Sequence, residues 1–315
     1  MPLTDSCAAS SSRIPVLDLI KTVAMLGVIG IHTFDGPAYY CMSYAIPVFF
    51  MMTGYLQITR PRTVRYCAFK IYKIARYMLL VGLCFTIAKY VIRGEGTPID
   101  VVKYIYGGIL QHNCLGLLWF LAAMALVYVV MPLLSYLYGH HRRLFVGLTV
   151  GLLVWQAASF AQELVAGAPL EMSTPQCLRL WHWLGYACLG ALLREARLQR
   201  LLRHLWLLLL PAVVATVMLG QSNRWTAEYF YGSLPVVIYS AALFVLLLRV
   251  PVKASRITAA LPPLFVPVYT THWLIVGAMR PYLSDFLLFA SVAIVSIALS
   301  WLLTRPPMLR RLLSI

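Results

Sequence analysis

Long blocks of apolar residues, separated by short polar or charged segments, dominate the chain and predict its secondary structure. The blocks lie at roughly 14–34, 41–58, 72–92, 115–138, 144–161, 178–194, 204–220, 230–249, 262–279 and 285–303. A helix needs about 20 mainly apolar residues to cross the hydrocarbon core of a bilayer. The pattern therefore predicts an all-α fold, a polytopic transmembrane helical bundle of about ten spans.

The first residues of the chain differ from these blocks. Residues 1–12, MPLTDSCAASSS, are small and polar, and we expect them to form a disordered tail. They lack the charged segment and the cleavage motif of a signal peptide, so we expect the first apolar block to remain in the protein. Residues 13–311 are predicted to form a single integral membrane domain.

Composition supports the membrane assignment. Only 11% of the residues are charged and 61% are hydrophobic, whereas soluble domains carry about 25% charged residues. These values exclude most soluble folds, a disordered chain and a secreted disulfide scaffold. Seven cysteines are present without the spacing of a metal site. Cys41, Cys114 and Cys177 fall near predicted outer helix ends, which leaves a disulfide open, although small apolar filling is the usual role of such residues.

The net charge of +16 follows the predicted topology. With an even number of spans both termini lie on one side, and we place them in the cytoplasm. That side then holds 19 of the 26 lysines and arginines. Short cytoplasmic loops of membrane proteins carry such an excess. The charge thus indicates a multi-pass protein of the cell membrane in contact with membrane lipids, and no nucleic acid partner is needed to explain it.

The first predicted span holds three ionisable residues, Asp18, Lys21 and His32. Charged groups are costly in hydrocarbon, so each is a candidate functional residue. Lys21 and His32 are eleven positions apart, which places them on one helix face, about 16 Å apart along the axis. The alternative is an Asp18–Lys21 pair at the membrane surface and a structural histidine.

Five segments form a recognisable series along the chain: VLDLIKTVAMLGVIGIH, IPVFFMMTGYL, LLWFLAAMALVYVVMPLL at 117–134, LGYACLGALL at 184–193 and VYTTHW at 268–273. Together they resemble the acyltransferase-3 family of integral membrane O-acyltransferases. The chain departs from the family pattern at some positions. Lys21 stands where arginine is commoner, Thr53 where serine is usual, and Leu118 where a polar residue often precedes Trp-Phe-Leu.

The resemblance implies an acyl-CoA-dependent enzyme. Its donor substrate would be cytoplasmic acyl-CoA, with acetyl-CoA as the first choice, and its acceptor a hydroxyl of a cell-surface polysaccharide or another carbohydrate or lipid-linked envelope glycan. No bound cofactor and no metal are expected. His32 is the expected catalytic residue, either as the base that takes the acceptor's proton or as a nucleophile that carries the acyl group. The sequence leaves both mechanisms open.

The family resemblance also suggests binding residues. The residues that we assign to acyl-CoA are basic and lie toward the cytoplasmic side: Lys21, Arg60, Lys73 and Arg76. Contact with anionic lipid is an equal alternative for the last three, worth about 1 kcal/mol per residue. Lys73 and Arg76 are three positions apart, at the predicted start of the third span, and are expected to face one phosphate group.

Acceptor residues are expected toward the outer side. Trp119 and Phe120 are candidates for stacking on a sugar ring, although interfacial aromatic belts use the same residue types. Tyr269 and His272 are candidate pocket residues, against the alternative of a buried structural histidine. Asp35 is more simply explained as a solvated residue than as a partner of His32. The remaining histidines are expected at the surface: His112, His140, His141, His182 and His204.

Two other functions are compatible with a polytopic bundle. A secondary transporter or flippase of an envelope metabolite would also carry intramembrane charges, but it should show two halves with matching broken helices. The sequence shows no such symmetry between its first five and last five blocks. A membrane sensing module is the third possibility, and no second domain is evident in the chain to support it.

Overall fold

The computed structural model describes residues 14–253 and 264–313. Within these ranges every regular element is helical. The predicted N-terminal tail, Arg13 and Arg256 lie outside the described residues. The helices are α1 Pro15–Ile31, α2 Gly36–Cys41, α3 Ala45–Gln57, α4 Val64–Arg93, α5 Pro98–Ile109, α6 Leu118–His140, α7 Arg142–Ala166, α8 Leu180–Leu192, α9 Ala196–Leu201, α10 Leu209–Asn223, α11 Leu234–Leu248, α12 Phe265–Met279, α13 Asp285–Thr304 and α14 Pro307–Leu313.

Each predicted apolar block falls on a helix of the structure. Among the described residues, five helices are long and apolar enough to cross a membrane: Val64–Arg93, Leu118–His140, Arg142–Ala166, Leu205–Asn223 and Asp285–Thr304. Helices α11 and α12 are apolar but shorter. Large apolar side chains on α7 and α13, such as Trp155 and Ile294, are exposed, as lipid contact requires. The protein is therefore a multi-pass membrane protein with an all-α fold.

Three predicted boundaries are wrong, each for a local reason. The second block is divided, because a turn at 42–44 separates α2 from α3. Helix α4 begins at Val64, well before residue 72, since the Thr63 hydroxyl caps it by accepting a hydrogen bond from the Tyr66 N–H at 3.2 Å. Helix α5 lies in a region expected to be an outer loop. A capping box between Thr97 and Asp100 starts this helix.

Helices α3 and α8 pack closely because both have a glycine at their contact. A Cβ atom on Gly54 would overlap the carbonyl oxygen of Ala187, and one on Gly190 would overlap that of Met51. Such close backbone approach between membrane helices depends on small residues. The contact fixes the centre of the bundle, against which α6 packs Phe120 and Trp119.

Helix α12 is held between α1, α4 and α13. The Tyr77 hydroxyl of α4 lies 2.7 Å from the Thr270 hydroxyl and 3.3 Å from the Val266 carbonyl oxygen. On the other side, Met25 and Ile29 of α1 belong to one apolar cluster with residues of α12 and α13. The described cysteines are all free, so the possible disulfide among Cys41, Cys114 and Cys177 is not formed.

Candidate active site

His32 lies directly after the last residue of α1, at the C-cap position. Its backbone N–H donates to the Ile29 carbonyl at 3.0 Å, which continues the helical turn. The half-buried imidazole lies between two side chains of α12: the ring centroid of His272 is 5.4 Å away and that of Trp273 is 4.8 Å away. Helix α12 therefore determines the position of the His32 ring.

Arg280 anchors the turn that contains His32. Its Nη2 donates to the His32 carbonyl oxygen at 2.7 Å, and its Nη1 lies 3.9 Å from a carboxylate oxygen of Asp35. The Asp35 side chain is 79% exposed. Asp35 thus pairs with Arg280 at the surface. Sequence analysis did not identify Arg280, because the residue follows α12 and is remote from His32 along the chain.

His272 is fully buried beside His32. Its Nδ1 lies 3.1 Å from the carbonyl oxygen of Val268, one helical turn earlier. This contact requires the proton on Nδ1 and leaves Nε2 as an acceptor. Nε2 is buried and has no hydrogen-bond partner among the described residues. An unprotonated ring nitrogen is therefore available next to His32.

A cavity of about 290 Å³ opens beside His32 on the predicted outer side. Two predicted acceptor residues, Trp119 and Tyr269, line it together with His32. The Tyr269 hydroxyl donates to the Leu117 carbonyl at 2.7 Å, which joins α12 to the start of α6. Phe120 lies one layer further back, with its ring centroid 5.2 Å from that of Tyr269. Trp119 and Tyr269 thus line one cavity with His32, whereas Phe120 and His272 pack against these lining residues.

The cavity also has a polar wall, which the sequence did not predict. It contains Gln111, Asn113, Gln176 and Glu228. The Gln176 Nε2 donates a hydrogen bond to the Glu228 carboxylate. Oε1 of the same amide is buried and has no partner within the described residues.

Tyr39 adds a hydrogen-bond donor to the cavity. Its hydroxyl oxygen accepts the Ala227 N–H at 2.8 Å, one residue before Glu228. Burial raises the pKa of Tyr39 to about 12. The hydroxyl therefore remains protonated at neutral pH and can donate its hydrogen to a ligand in the cavity.

A buried charged network supports the polar wall from outside. Glu171 accepts from His182 at 2.5 Å and lies 3.2 Å from the Arg179 guanidinium. Burial by itself raises the pKa of Glu171. The hydrogen bond and charge of His182, with the charge of Arg179, outweigh that effect and leave the pKa below its usual value. His182 is 1% exposed, so its expected surface position is wrong. The connection between α7 and α8 folds over it and supplies Glu171 as its partner.

Lys21 lies in the second turn of α1. Its side chain faces α12, the helix that also contacts His32. Its Nζ is 6.0 Å from the ring centroid of Phe265, the first residue of α12. The shared face is what the eleven-residue spacing predicts. Lys70 of α4 interacts electrostatically with Lys21, Arg62 and Lys73. The predicted cytoplasmic end of the bundle therefore has a cluster of cations from α1, from α4 and from the segment that precedes α4. Arg62 and Lys70 of this cluster were not among the predicted site residues.

The other predicted donor residues are dispersed. The Arg76 guanidinium donates to the carbonyl oxygens of Arg311 and Leu312 at 2.8 and 3.2 Å, at the end of α14. Lys73 is directed toward Phe69, 5.5 Å from its ring centroid, and Arg60 is exposed. The Arg76 side chain thus contacts α14 and Lys73 lies toward Phe69, and their shared contact with one phosphate stays a prediction.

Comparison with known protein families identifies the class to which this fold and cavity belong. The family model described as an acyltransferase domain, that of the acyltransferase 3 family, matches residues 14–305. The match covers nearly the whole chain, and the chain belongs to this family. The protein is therefore a membrane acyltransferase, and its family implies an acyl donor and an acceptor. Neither the curated proteins nor the solved structures gave a match.

Proposed function

We propose that the protein is an O-acyltransferase that moves an acyl group, acetyl as the first choice, from cytoplasmic acyl-CoA to a hydroxyl of a cell-surface polysaccharide or other envelope glycan. It would act in the cytoplasmic membrane of the cell with ten spans, both termini inside, and residues 13–311 as one integral domain. The observation that supports this most is the cavity, which places His32 beside aromatic and polar side chains in a chain of this family.

The two ends of α1 suit the two substrates. Lys21 and the neighbouring cations of α4 supply positive charge at the predicted cytoplasmic side, where the nucleotide phosphates of acyl-CoA would bind. Lys21 and Lys73 are the proposed donor contacts, and Arg60 adds an exposed charge near the same surface. We propose an indirect role for Arg76, because it holds α14 against α4.

The thioester would reach His32 from the inside while the acceptor hydroxyl enters from the cavity. In the general-base route, His32 takes the hydroxyl proton and the oxygen attacks the acyl carbon. The carbon–sulfur bond then breaks, and the proton passes to the CoA thiolate. Acid–base catalysis of this kind contributes typically about 10²–10⁴-fold. In the acyl-carrier route, a ring nitrogen of His32 attacks the acyl carbon, the carbon–sulfur bond breaks, and the CoA thiolate takes the proton of the imidazole. The acceptor oxygen then attacks the same carbon, the carbon–nitrogen bond breaks, and the hydroxyl proton returns to the imidazole.

The residues around His32 have distinct proposed roles. His272 holds an unprotonated nitrogen next to the His32 ring and would maintain its orientation. Trp119 and Tyr269 would contact the acceptor directly, because they line the cavity. Phe120 would support Tyr269 from behind.

Acetyl-CoA turnover by the purified protein tests the proposal. Wild-type protein in detergent is given radiolabelled acetyl-CoA, with and without envelope glycan, and compared with His32→Ala. We expect acetyl transfer or hydrolysis by wild type and a loss of about 10²-fold or more in the variant. If wild type does neither, and reconstituted vesicles instead accumulate an envelope metabolite, the protein is a transporter and the proposal is wrong.

A further inference from the structure

The Gln176–Glu228 pair is placed to contact whatever occupies the cavity. Gln176 is 1% exposed, yet it is one of the residues that line the cavity. Its Nε2 is used by Glu228, and its Oε1 is buried without a partner among the described residues. A buried acceptor that lacks a hydrogen-bond donor is unfavourable, and a ligand hydroxyl would satisfy it.

Among the described residues that line this cavity, Glu228 is the only one with a carboxylate. Carboxylates nearby have cationic partners: Glu171 pairs with Arg179, and Asp35 with Arg280. Glu228 instead interacts with the Gln176 amide and the Tyr229 hydroxyl, and no lysine or arginine in the described ranges forms an ion pair with it. Glu228 therefore places an acidic group on the polar wall of the cavity without an ion-pair partner among the described residues.

We propose that the Gln176–Glu228 pair is the acceptor-recognition wall of the enzyme. This inference rests on the proposed function. The pair selects acceptor sugars that are uncharged around the acylated hydroxyl, such as neutral hexose or N-acetylhexosamine residues, over uronic acids.

Hydrogen-bond chemistry supports the first half of this proposal. An ionised carboxylate accepts hydrogen bonds only, and it can accept from two neighbouring hydroxyls at once. The Gln176 Oε1 accepts one more, and the Tyr39 hydroxyl donates. Vicinal hydroxyls of a sugar ring match such a set. Trp119 and Tyr231 line the same space with aromatic rings, against which the apolar face of a sugar can pack.

Electrostatics supports the second half. A carboxylate on the sugar would lie in the same partly enclosed site as the Glu228 carboxylate. Two like charges within a few ångströms of each other in such a site repel strongly. Unfavourable charge pairs are a common source of specificity. The cavity volume of about 290 Å³ is at the lower end of the range of ligand pockets, which suits a single sugar ring.

An acceptor competition experiment tests this selectivity. Purified enzyme with radiolabelled acetyl-CoA is given methyl glucoside or methyl glucuronoside, and acetyl-CoA hydrolysis without acceptor is measured in parallel. We expect wild type to prefer the neutral glycoside by at least about 10-fold in kcat/KM. Glu228→Gln should reduce that preference toward unity and raise KM for the glucoside by about 10- to 100-fold, the loss expected for a charged hydrogen bond. Acetyl-CoA hydrolysis without acceptor is measured for both proteins, and each preference is compared after the rates are scaled to it.

Two further variants make the test specific. Thr226 is exposed and lines the cavity, so Thr226→Lys should increase use of the glucuronoside without affecting folding. Glu195→Gln removes a carboxylate that pairs with Arg142 elsewhere and should leave the preference as it is.

Each contrary outcome has a defined meaning. The inference is overturned if wild type prefers the glucuronoside, if Glu228→Gln retains the wild-type preference, or if acetyl-CoA is hydrolysed while neither glycoside is acetylated. Absence of any acetyl-CoA turnover in wild type would instead overturn the proposed function.

Discussion

The imidazole rings of His32 and His272 lie with their centroids 5.4 Å apart and their planes inclined by 30°. The first ring follows α1 and lines the cavity, whereas the second is fully buried in α12. The Nδ1 of His272 donates to the Val268 carbonyl oxygen. Nε2 is therefore the ring nitrogen that is left to interact with neighbouring groups. Two histidines remote in sequence thus form one unit, in which we assign chemistry to His32 and positioning to His272.

Replacement of His272 tests that division. His272→Phe retains a ring but removes the buried nitrogen, so we expect a folded protein with a disturbed His32 orientation. Misplaced reacting groups can cost about 10²-fold in rate, and kcat should fall by up to that factor while KM for acetyl-CoA stays the same. The exposed His140 provides the control, since His140→Phe should change neither constant. A raised KM with normal kcat would contradict the positioning role.

Donor binding should depend on Lys21. Lys21→Leu removes a cation from the inner cluster, and the loss of one charge-assisted hydrogen bond corresponds to a rise in KM for acetyl-CoA of about 10- to 100-fold. Lys21→Arg should restore most of the affinity. Lys103, whose side chain is 69% exposed on α5, offers a matched control in Lys103→Leu. Normal donor affinity in Lys21→Leu would remove Lys21 from the site.

The α3–α8 contact should be intolerant of a single methyl group. Gly54→Ala would push a Cβ atom into the Ala187 carbonyl, and overpacking of this kind costs about 1–3 kcal/mol in the free energy of unfolding. Gly147 of α7 has open space around it, so Gly147→Ala should be neutral or stabilising by up to about 1 kcal/mol. Thermal unfolding in detergent measures both. Equal stability of the two variants would show that the helices can separate without cost.

Glu171, in the connection between α7 and α8, should make the stability of the fold sensitive to acid. Its pKa in the folded protein is lowered, since His182 and Arg179 outweigh the effect of burial. The ionised carboxylate therefore stabilises the fold above the unfolded pKa of about 4.3. This contribution is lost as the pH falls from there through the lower folded value. The thermal midpoint of wild type should fall accordingly.

The variant Glu171→Gln should abolish this part of the acid dependence. It should also cost about 3–5 kcal/mol at neutral pH, because it leaves the Arg179 charge buried and unpaired. Glu195 forms a more exposed ion pair with Arg142, and such pairs contribute about 0–1 kcal/mol. Glu195→Gln should therefore retain the acid dependence of wild type. If Glu171→Gln retains it too, another group is responsible.

The sequence predicted those features that depend on local periodicity. Apolar blocks located the helices, and helical spacing placed Lys21 and His32 on the face that contacts α12. The same spacing argument did not predict the contact that Arg76 makes with α14. A shared helix face says nothing about a distant partner, and the carbonyl groups at the end of α14 take the Arg76 guanidinium.

The polar wall of the cavity could not be predicted from the sequence, for a related reason. Gln176 and Glu228 lie in two separate connections, before α8 and before α11, and neither belongs to a motif. The prediction for His182 was wrong because the connection between α7 and α8 folds over it and provides Glu171 as a buried partner. Tertiary contacts between connections leave no periodic signal.

The central claim is that an acyl group passes from a donor inside to an acceptor outside through His32. Proteoliposomes with the protein in a single orientation are loaded with radiolabelled acetyl-CoA, and a neutral glycan is added outside. Wild type should acetylate the external glycan, and His32→Ala, with the same amount of folded protein, should lose this transfer by about 10²-fold or more. Equal acetylation of the external glycan by both proteins would contradict the account.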